Sequence, residues 1–339
     1  KRLAWLPRAG NRLVAMASQG DAEKGAATGA MAQRQVGAIL RRHDLQEIYK
    51  IGAGAFGSAI LVETATGVKR VCKMIDVSRA TRKEAEAAVK EAKLLSSLKH
   101  PYIVRYRQSF ADEGWLCILM DFCEGGELAH RIEAARKDKE PLPEERILRW
   151  FTQAMLALKH LHDRHILHRD LKPSNFFLTK DEVLRMGDFG VAKVLSSTAA
   201  YARTQIGTPY YLSPEVCQDL PYACPSDVWA MGCILFELCA LRVPFEAKSI
   251  AQLVERICRG AMPVVPPPYS DGARHLVRDL LVRDPDGRPS VDVVLRRPEI
   301  QVVIRQMLAE RRREASAAQE PEQPAQPQQP VLQLPSEPP

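Results

Sequence analysis

The chain of 339 residues is 46% hydrophobic, enough for a sizeable core, and its length suits either two or three ordinary domains or one two-lobed enzyme with tails. Its net charge of +7 is concentrated: residues 1–42 hold eight Lys or Arg against two Asp or Glu, leaving 40 against 39 elsewhere, which excludes a general basic face for nucleic acid. The eight cysteines form no CxxC pair and no zinc-spaced Cys/His cluster, and the longest apolar run, near 228–241, is too short to span a membrane and contains Glu237.

Residues 1–42 are rich in Ala, Gly, Gln and Arg, with no acid before Asp21. Such a start resembles a mitochondrial presequence, but Pro7 and Gly10 interrupt any long amphipathic helix, so residues 1–43 are read as a disordered basic tail.

From Tyr49 the pattern turns to strands. The stretch IGAGAFGSA, from Ile51 to Ala59, carries glycines at 52, 54 and 57. A dinucleotide site would need a helix directly after Gly57 and an acid about 20 residues on, where Asp76 is a decoy. Two apolar, β-rich runs follow instead around Thr66-Gly67, which predicts a hairpin. The glycine loop is then a flap between strands, with backbone amides available to phosphates.

Lys73 lies in the strand after that hairpin. The helix predicted over 81–98 places Ala88, Ala92, Leu95 and Leu98 on one face, with Glu91 on the same side. A carboxylate there is costly unless paired, which predicts a Lys73–Glu91 ion pair. Next, WLCILMDFCEGGEL at 115–128 reads as a buried strand ending at Gly125-Gly126. Ile147, Trp150, Phe151, Ala154, Met155, Leu158 and Leu161 keep helical spacing and predict a core helix between Pro143 and Arg164.

The richest stretch runs from His168 to Glu215. It holds HRDLKPSN at 168–175, GDFG at 187–190 and GTPYYLSPE at 207–215. Asp170, Asn175 and Asp188 supply a carboxylate that can orient a hydroxyl, together with hard oxygen ligands for magnesium, and phosphoryl transfer asks a protein for little else. Any one of them alone reads as a loop-capping residue; together with Lys73 and Glu91 they read as a site.

HRDLKPSN, DFG and SPE resemble the catalytic loop, metal motif and activation-segment end of eukaryotic protein kinases. GTPYYLSPE, EGGEL at 124–128 and RPS at 288–290 are similar to the NIMA-related (Nek) serine/threonine group, and the resemblance covers about 49–303. It implies an α+β, two-lobed fold: a β-rich lobe with one regulatory helix at 44–121, a hinge at 121–126 and a helical lobe at 127–303. It also implies ATP and Mg2+ as cofactors and serine or threonine of proteins as acceptors.

By the same resemblance, Asp170 is the catalytic base, Lys172 stabilises the transferred phosphoryl group, and Asn175 and Asp188 bind metal. ATP is held by Ile51, Gly52, Ala53, Gly54, Ala55, Phe56, Gly57, Ser58, Ala59, Lys73 and Glu91. Met120 borders the back pocket, while Asp121 and Cys123 offer backbone groups to adenine. Thr204 is the implied phosphorylation site, with Arg169 and Lys193 as its cationic partners, and modification in trans by another copy or an upstream kinase is implied with it. Tyr106 occupies a position where Nek kinases turn a tyrosine into the site, packing being the alternative. Thr208 lies in the substrate loop, Glu215 pairs with Arg288, and Asp227 braces the catalytic loop, with Ser226 expected as a helix N-cap.

Residues 304–339 are read as a disordered tail rich in Pro and Gln. Pro321, Pro324, Pro327 and Pro330 recur every third residue, so an SH3-type ligand is the alternative to a plain linker. No nucleic-acid partner and no membrane span are expected. The cysteine pattern implies a reducing compartment, cytoplasmic or cytoskeletal, with the nucleus left open. A pseudokinase scaffold that binds nucleotide without turnover is the competing reading, and the intact polar set opposes it.

Overall fold

A computed structural model describes residues 35–54, 57–78, 80, 81, 83, 86, 92, 96–187 and 209–317. In the smaller lobe a helix, α1 (35–42), precedes strands β1 (Leu45–Gly54), β2 (Gly57–Thr64), β3 (Lys69–Asp76), β4 (Tyr106–Asp112) and β5 (Trp115–Asp121). The sheet is antiparallel, in the order β1-β2-β3-β5-β4. Gly67, with a positive φ of 74°, closes the β2–β3 hairpin at the predicted turn, its N–H donating to Thr64 O at 2.9 Å.

Strands β1 and β2 stay paired up to Gly54 opposite Gly57, so the glycine loop is a hairpin and not the strand-to-helix turn of a dinucleotide site. A side chain at Gly57 would put its Cβ 1.8 Å from Met74 O, so only glycine lets β3 close against it.

Alternation along the strands sorts the sheet into two faces. Ile60, Val62, Cys72, Met74, Cys117 and Leu119 form one apolar face; Ile75, Leu116 and Ile118, on the other, belong to the core shared with the larger lobe. Lys73 sits opposite Ala59 and Ile118, which puts it on the shared side.

The expectation of an unstructured segment through residue 43 needs correction over 35–42. Val36, Ile39 and Leu40 follow helical spacing and bury themselves on the sheet's outer face, which would otherwise leave its apolar residues in water. Polar contacts pin the helix end: Arg42 pairs with Asp112 at 3.0 Å and Glu113 at 2.9 Å, and the His43 ring stacks on Phe110 at 3.6 Å. Residues 1–34 lie outside the described residues.

The larger lobe begins with β6 (Gly126–Glu127), α2 (Leu128–Asp138) and α3 (Glu144–His162). A 3-10 turn at Pro173–Asn175 leads into β7 (Phe176–Leu178) and β8 (Leu184–Met186), which form a three-stranded sheet with β6. Helices α4 (Pro214–Cys217), α5 (Cys224–Ala240), α6 (Ile250–Arg259), α7 (Asp271–Leu280), α8 (Val291–Leu295) and α9 (Pro298–Ala317) follow. The apolar α5 is buried almost throughout and forms the lobe's axis.

The expected end of order at 303 also needs correction, because α9 continues to Ala317. Ile300, Val303 and Met307 keep 3–4 spacing and are buried, while the polar run from Glu310 masks that periodicity in the sequence. Among the described residues no helix is long and apolar enough to cross a membrane.

If α1 is an integral part of the smaller lobe, Ile39→Ala will lower unfolding free energy by about 2–5 kcal/mol, the usual cost of emptying a buried Ile site. Urea unfolding of wild type and variant measures this, and a difference near zero would contradict the docking of α1.

Candidate active site

The site is organised by a loop held from beneath. Asp227, in the first turn of α5, is fully buried and accepts the main-chain N–H groups of His168 and Arg169, both at 3.1 Å. It also pairs with His162 Nε2 at 2.9 Å and accepts from the Tyr222 hydroxyl. Burial pushes its carboxyl up, but the bonds from His162 and Tyr222 and the nearby His168 outweigh burial and hold it below the usual range. Arg169 is exposed, with a left-handed φ of 64°, a conformation costing roughly 1–3 kcal/mol that survives only where the surroundings over-determine it. The two bonds to Asp227 supply that constraint one residue before Asp170.

Within the loop the polar groups lock one another. The Asp170 N–H donates to His168 Nδ1 at 3.3 Å, which leaves Nε2 as the protonated nitrogen, donating to Gly187 O at 3.2 Å. Asn175 Nδ2 donates to Asp170 O at 2.6 Å and to Asp170 Oδ2 at 3.0 Å. Lys172 Nζ lies 3.1 Å from that same Oδ2. Gly187 N donates to Asn175 O at 2.9 Å, so the loop and the end of β8 form one bonded unit.

Both Asn175 amide protons face Asp170, and among the described residues Oδ1 accepts no hydrogen bond. An amide oxygen fixed in this way is a hard ligand suited to magnesium.

Lys73 is half-buried on the inward face of β3. Met120, one residue before the end of β5, lies opposite Val71 and Tyr106. Asp121 is gripped by Arg107 at 2.6 and 3.0 Å, with Arg70 at 3.4 Å and Arg185 at 3.7 Å. Its N–H is taken by Arg105 O at 2.9 Å. The Cys123 thiol is buried and pushed up to about 11 by that burial, so it is not poised as a nucleophile. Tyr106 is half-buried against the main core. Ile51 is exposed near the end of β1, while Gly52 pairs with Ala59 and Ala53 with Ser58 across the hairpin. Ala55, Phe56, Glu91, Asp188, Lys193, Thr204 and Thr208 lie outside the described residues.

Behind the loop, Arg288 forms a two-pronged pair with Glu215 at 2.8 and 2.6 Å. Its remaining donors go to Val282, Pro225 and Arg283 carbonyls, and its guanidinium lies 5.1 Å from the Trp229 ring centroid. Burial raises the Glu215 carboxyl, but Arg288 and the Ser226 hydroxyl, which donates at 2.6 Å, bring it down to about 2. Ser226 is thus not the N-cap but the third residue of α5, which starts at Cys224 after Ala223; its oxygen accepts the Ala223 N–H at 3.4 Å while its hydroxyl donates to Glu215. His162, Tyr222 and Ser226 are the site's supports that sequence reasoning missed, since each meets its partner only through the fold.

A carboxylate, an amide and an ammonium converge beside the end of β8, and the smaller lobe contributes a glycine hairpin and a lysine on the face it shares with the larger lobe. Residues 45–300 match the protein kinase domain family, and the chain belongs to that family. Over 249 residues it is 50% identical to serine/threonine-protein kinase Nek1 of Mus musculus, spanning 73% of this chain and 20% of that protein. Nek5 of Homo sapiens is 44% identical over 259 residues, 76% of this chain and 36% of its own length. Nek4 of Mus musculus is 44% identical over 252 residues, 74% and 32% of the two lengths. The domain is therefore of the Nek serine/threonine type, while the chain spans only 20% to 36% of these relatives.

The Glu215–Arg288 pair gives a signed prediction. Its depressed carboxyl contributes stability that is present above the ordinary value of 4.5 and lost as pH falls toward about 2. Arg288→Met should cost about 3–5 kcal/mol near pH 7, because it strands a buried charge. Without the guanidinium, burial alone lifts the carboxyl, so the deficit should narrow at about pH 3.5, where the variant protonates Glu215 readily. Urea unfolding at both pH values checks this; an equal deficit at both would contradict it.

Proposed function

We propose that the protein transfers the γ-phosphoryl group of MgATP to serine or threonine hydroxyls of protein substrates. The observation that carries this reading is the bonded unit of Asp170, Lys172, Asn175 and Gly187, which presents a base and a metal ligand side by side. Magnesium, when bound, would supply charge neutralisation for the phosphates.

Asp170 takes the proton of the acceptor hydroxyl as its oxygen bonds to phosphorus and the bond to the ADP oxygen breaks. Lys172 meets the charge on the transferred group. Asn175 Oδ1 and Asp188 would hold the metal, and Lys73, in the expected pair with Glu91, would hold phosphates with the backbone of residues 51–59. Met120 lines the adenine pocket, with the Asp121 and Cys123 backbone at its edge. Beside Lys172 a pocket lined also by Pro173, Tyr211 and Glu237 offers the acceptor peptide a place to lie.

Regulation belongs to the same reading. Phosphate on Thr204, placed there in trans or by an upstream kinase, would pair with Arg169 and Lys193 and order the segment carrying Thr208. Tyr106, half-buried against the core, favours packing over a blocking role. The eight free thiols support a reducing site, cytoplasmic or cytoskeletal, with the nucleus also compatible. An SH3-type partner for the proline-rich tail stays a proposal resting on the every-third-residue prolines alone.

The test is phosphate transfer from γ-labelled MgATP to a generic protein substrate. Wild type phosphorylated on its activation segment should label Ser and Thr; Asp170→Asn should lose roughly 10²–10⁴ of that rate. Lys73→Met and Asp188→Ala should be similarly crippled while remaining folded. Folded, phosphorylated wild type that transfers nothing would leave a nucleotide-binding scaffold in place of a kinase. Separately, Thr204→Ala should leave the enzyme at the rate of phosphatase-treated wild type, and full activity in that variant would remove Thr204 from the account.

A further inference from the structure

Helix α9 extends beyond the matched kinase domain, which ends at residue 300, and its polar end is tied to α3 and to the connection before β4. Glu310 forms a two-pronged pair with Arg149 of α3. Next to it, Arg311 Nη2 donates to the Tyr102 hydroxyl at 3.0 Å, with the guanidinium 5.3 Å from the centre of that ring. Tyr102 is 5% exposed and stands in the connection before β4.

From Tyr102 the contacts run directly to β8. Met186 N donates to Tyr102 O and Val104 N donates to Met186 O, both at 2.8 Å, so residues 102–104 form a parallel bridge along the free edge of β8 at its last residue. Gly187 follows, and its fit is tight: a Cβ there would lie 2.8 Å from the Phe177 ring and 3.1 Å from Val104 Cγ2. Gly187 in turn bonds Asn175 and His168. The Tyr102 position is also set from below, where its N–H donates to His100 Nδ1 at 3.3 Å. Burial, with the His160, Arg311 and Arg164 charges, lowers His100 to about 4, so the ring stays neutral and able to accept.

We propose that Arg311 is a positioning residue for metal binding: through Tyr102 it holds β8 in the register that Gly187 and Asn175 require. The inference rests on the reading of Asn175 as a metal ligand. Arg311 touches no substrate and no reacting atom. Its loss would free Tyr102 to shift, loosen the grip of residues 102–104 on Met186, and let Gly187 and the Asn175 amide leave the geometry magnesium needs. A segment outside the matched domain thereby acts on the metal site through Tyr102.

The experiment uses the full chain and two readouts, calorimetric titration with Mg–ADP and the Mg2+ dependence of phosphate transfer. Arg311→Ala should weaken Mg–ADP binding and raise the Mg2+ requirement by about 5-fold or more, within the usual range of coupling between sites, with kcat at saturating Mg2+ within about 2-fold of wild type. Arg311→Lys, which keeps a cation near the ring, and Tyr102→Phe, which keeps the ring and loses the hydroxyl, should fall between. They also keep the test open if Arg311→Ala folds poorly. Arg312→Ala, altering an exposed neighbour, should match wild type. Unchanged Mg–ADP affinity in all the Arg311 and Tyr102 variants, or lowered thermal stability and kcat with no change in Mg2+ dependence, overturns the proposal. Wild type that binds no Mg–ADP would instead defeat the kinase reading itself.

Discussion

One buried carboxylate holds the catalytic loop in its shape. Asp227 has no exposed surface, and a charge in that position is tolerable only because two main-chain amides, a histidine and a tyrosine hydroxyl surround it. The amides belong to His168 and Arg169, so what satisfies the carboxylate also fixes the backbone leading into Asp170. The left-handed Arg169 shows the cost of that geometry, and the helix carrying Asp227 is the most deeply buried in the larger lobe. Precise placement of Asp170 is thus supplied by the core, as rigid support of a reactive constellation requires.

From this anchor the site grows by hydrogen bonds of short reach. His168 links the loop to Gly187, Gly187 links back to Asn175, and Asn175 spends its amide protons on Asp170. The arrangement leaves the Asn175 amide oxygen unspent among the described residues and puts the Asn175 amide and the Lys172 ammonium on one oxygen of the Asp170 carboxylate. Lys73 comes from the other lobe, and strand alternation alone settles that it faces inward. At the lobes' junction Asp121 collects Arg70 and Arg107 from the small lobe and Arg185 from the large one.

The sequence was most legible where chemistry needs residues close together along the chain. HRDLKPSN places Asp170 and Asn175 within one loop, and the fold needed only to bend it; the hairpin after Gly57 was readable from β-rich runs around Thr66-Gly67. What stayed hidden depends on distant partners. Helix α1 looked like tail because Val36, Ile39 and Leu40 are few and lie among Gly, Gln and Arg, and the sheet face they cover is built from residues far downstream. Helix α9 was cut short because Glu310 and Arg311 read as solvent charges, although their partners Arg149 and Tyr102 are fixed elsewhere. Ser226 was assigned the N-cap by its position before an apolar run; it stands at the third helical position, where its oxygen takes the Ala223 N–H and its proton goes to Glu215. Glu91, Asp188 and Thr204 fall outside the described residues, so their reading still rests on the sequence and the family.

The account's central claim is that the Asn175 amide, oriented by Asp170, is a ready-made metal ligand. A crystal structure of the protein with magnesium and a non-hydrolysable ATP analogue tests it most directly. The account predicts a magnesium ion at about 2.0–2.1 Å from Asn175 Oδ1, with both amide protons still on Asp170. A bound nucleotide whose metal ignores Asn175, or an Asn175 amide turned away from Asp170 in the complex, would contradict it.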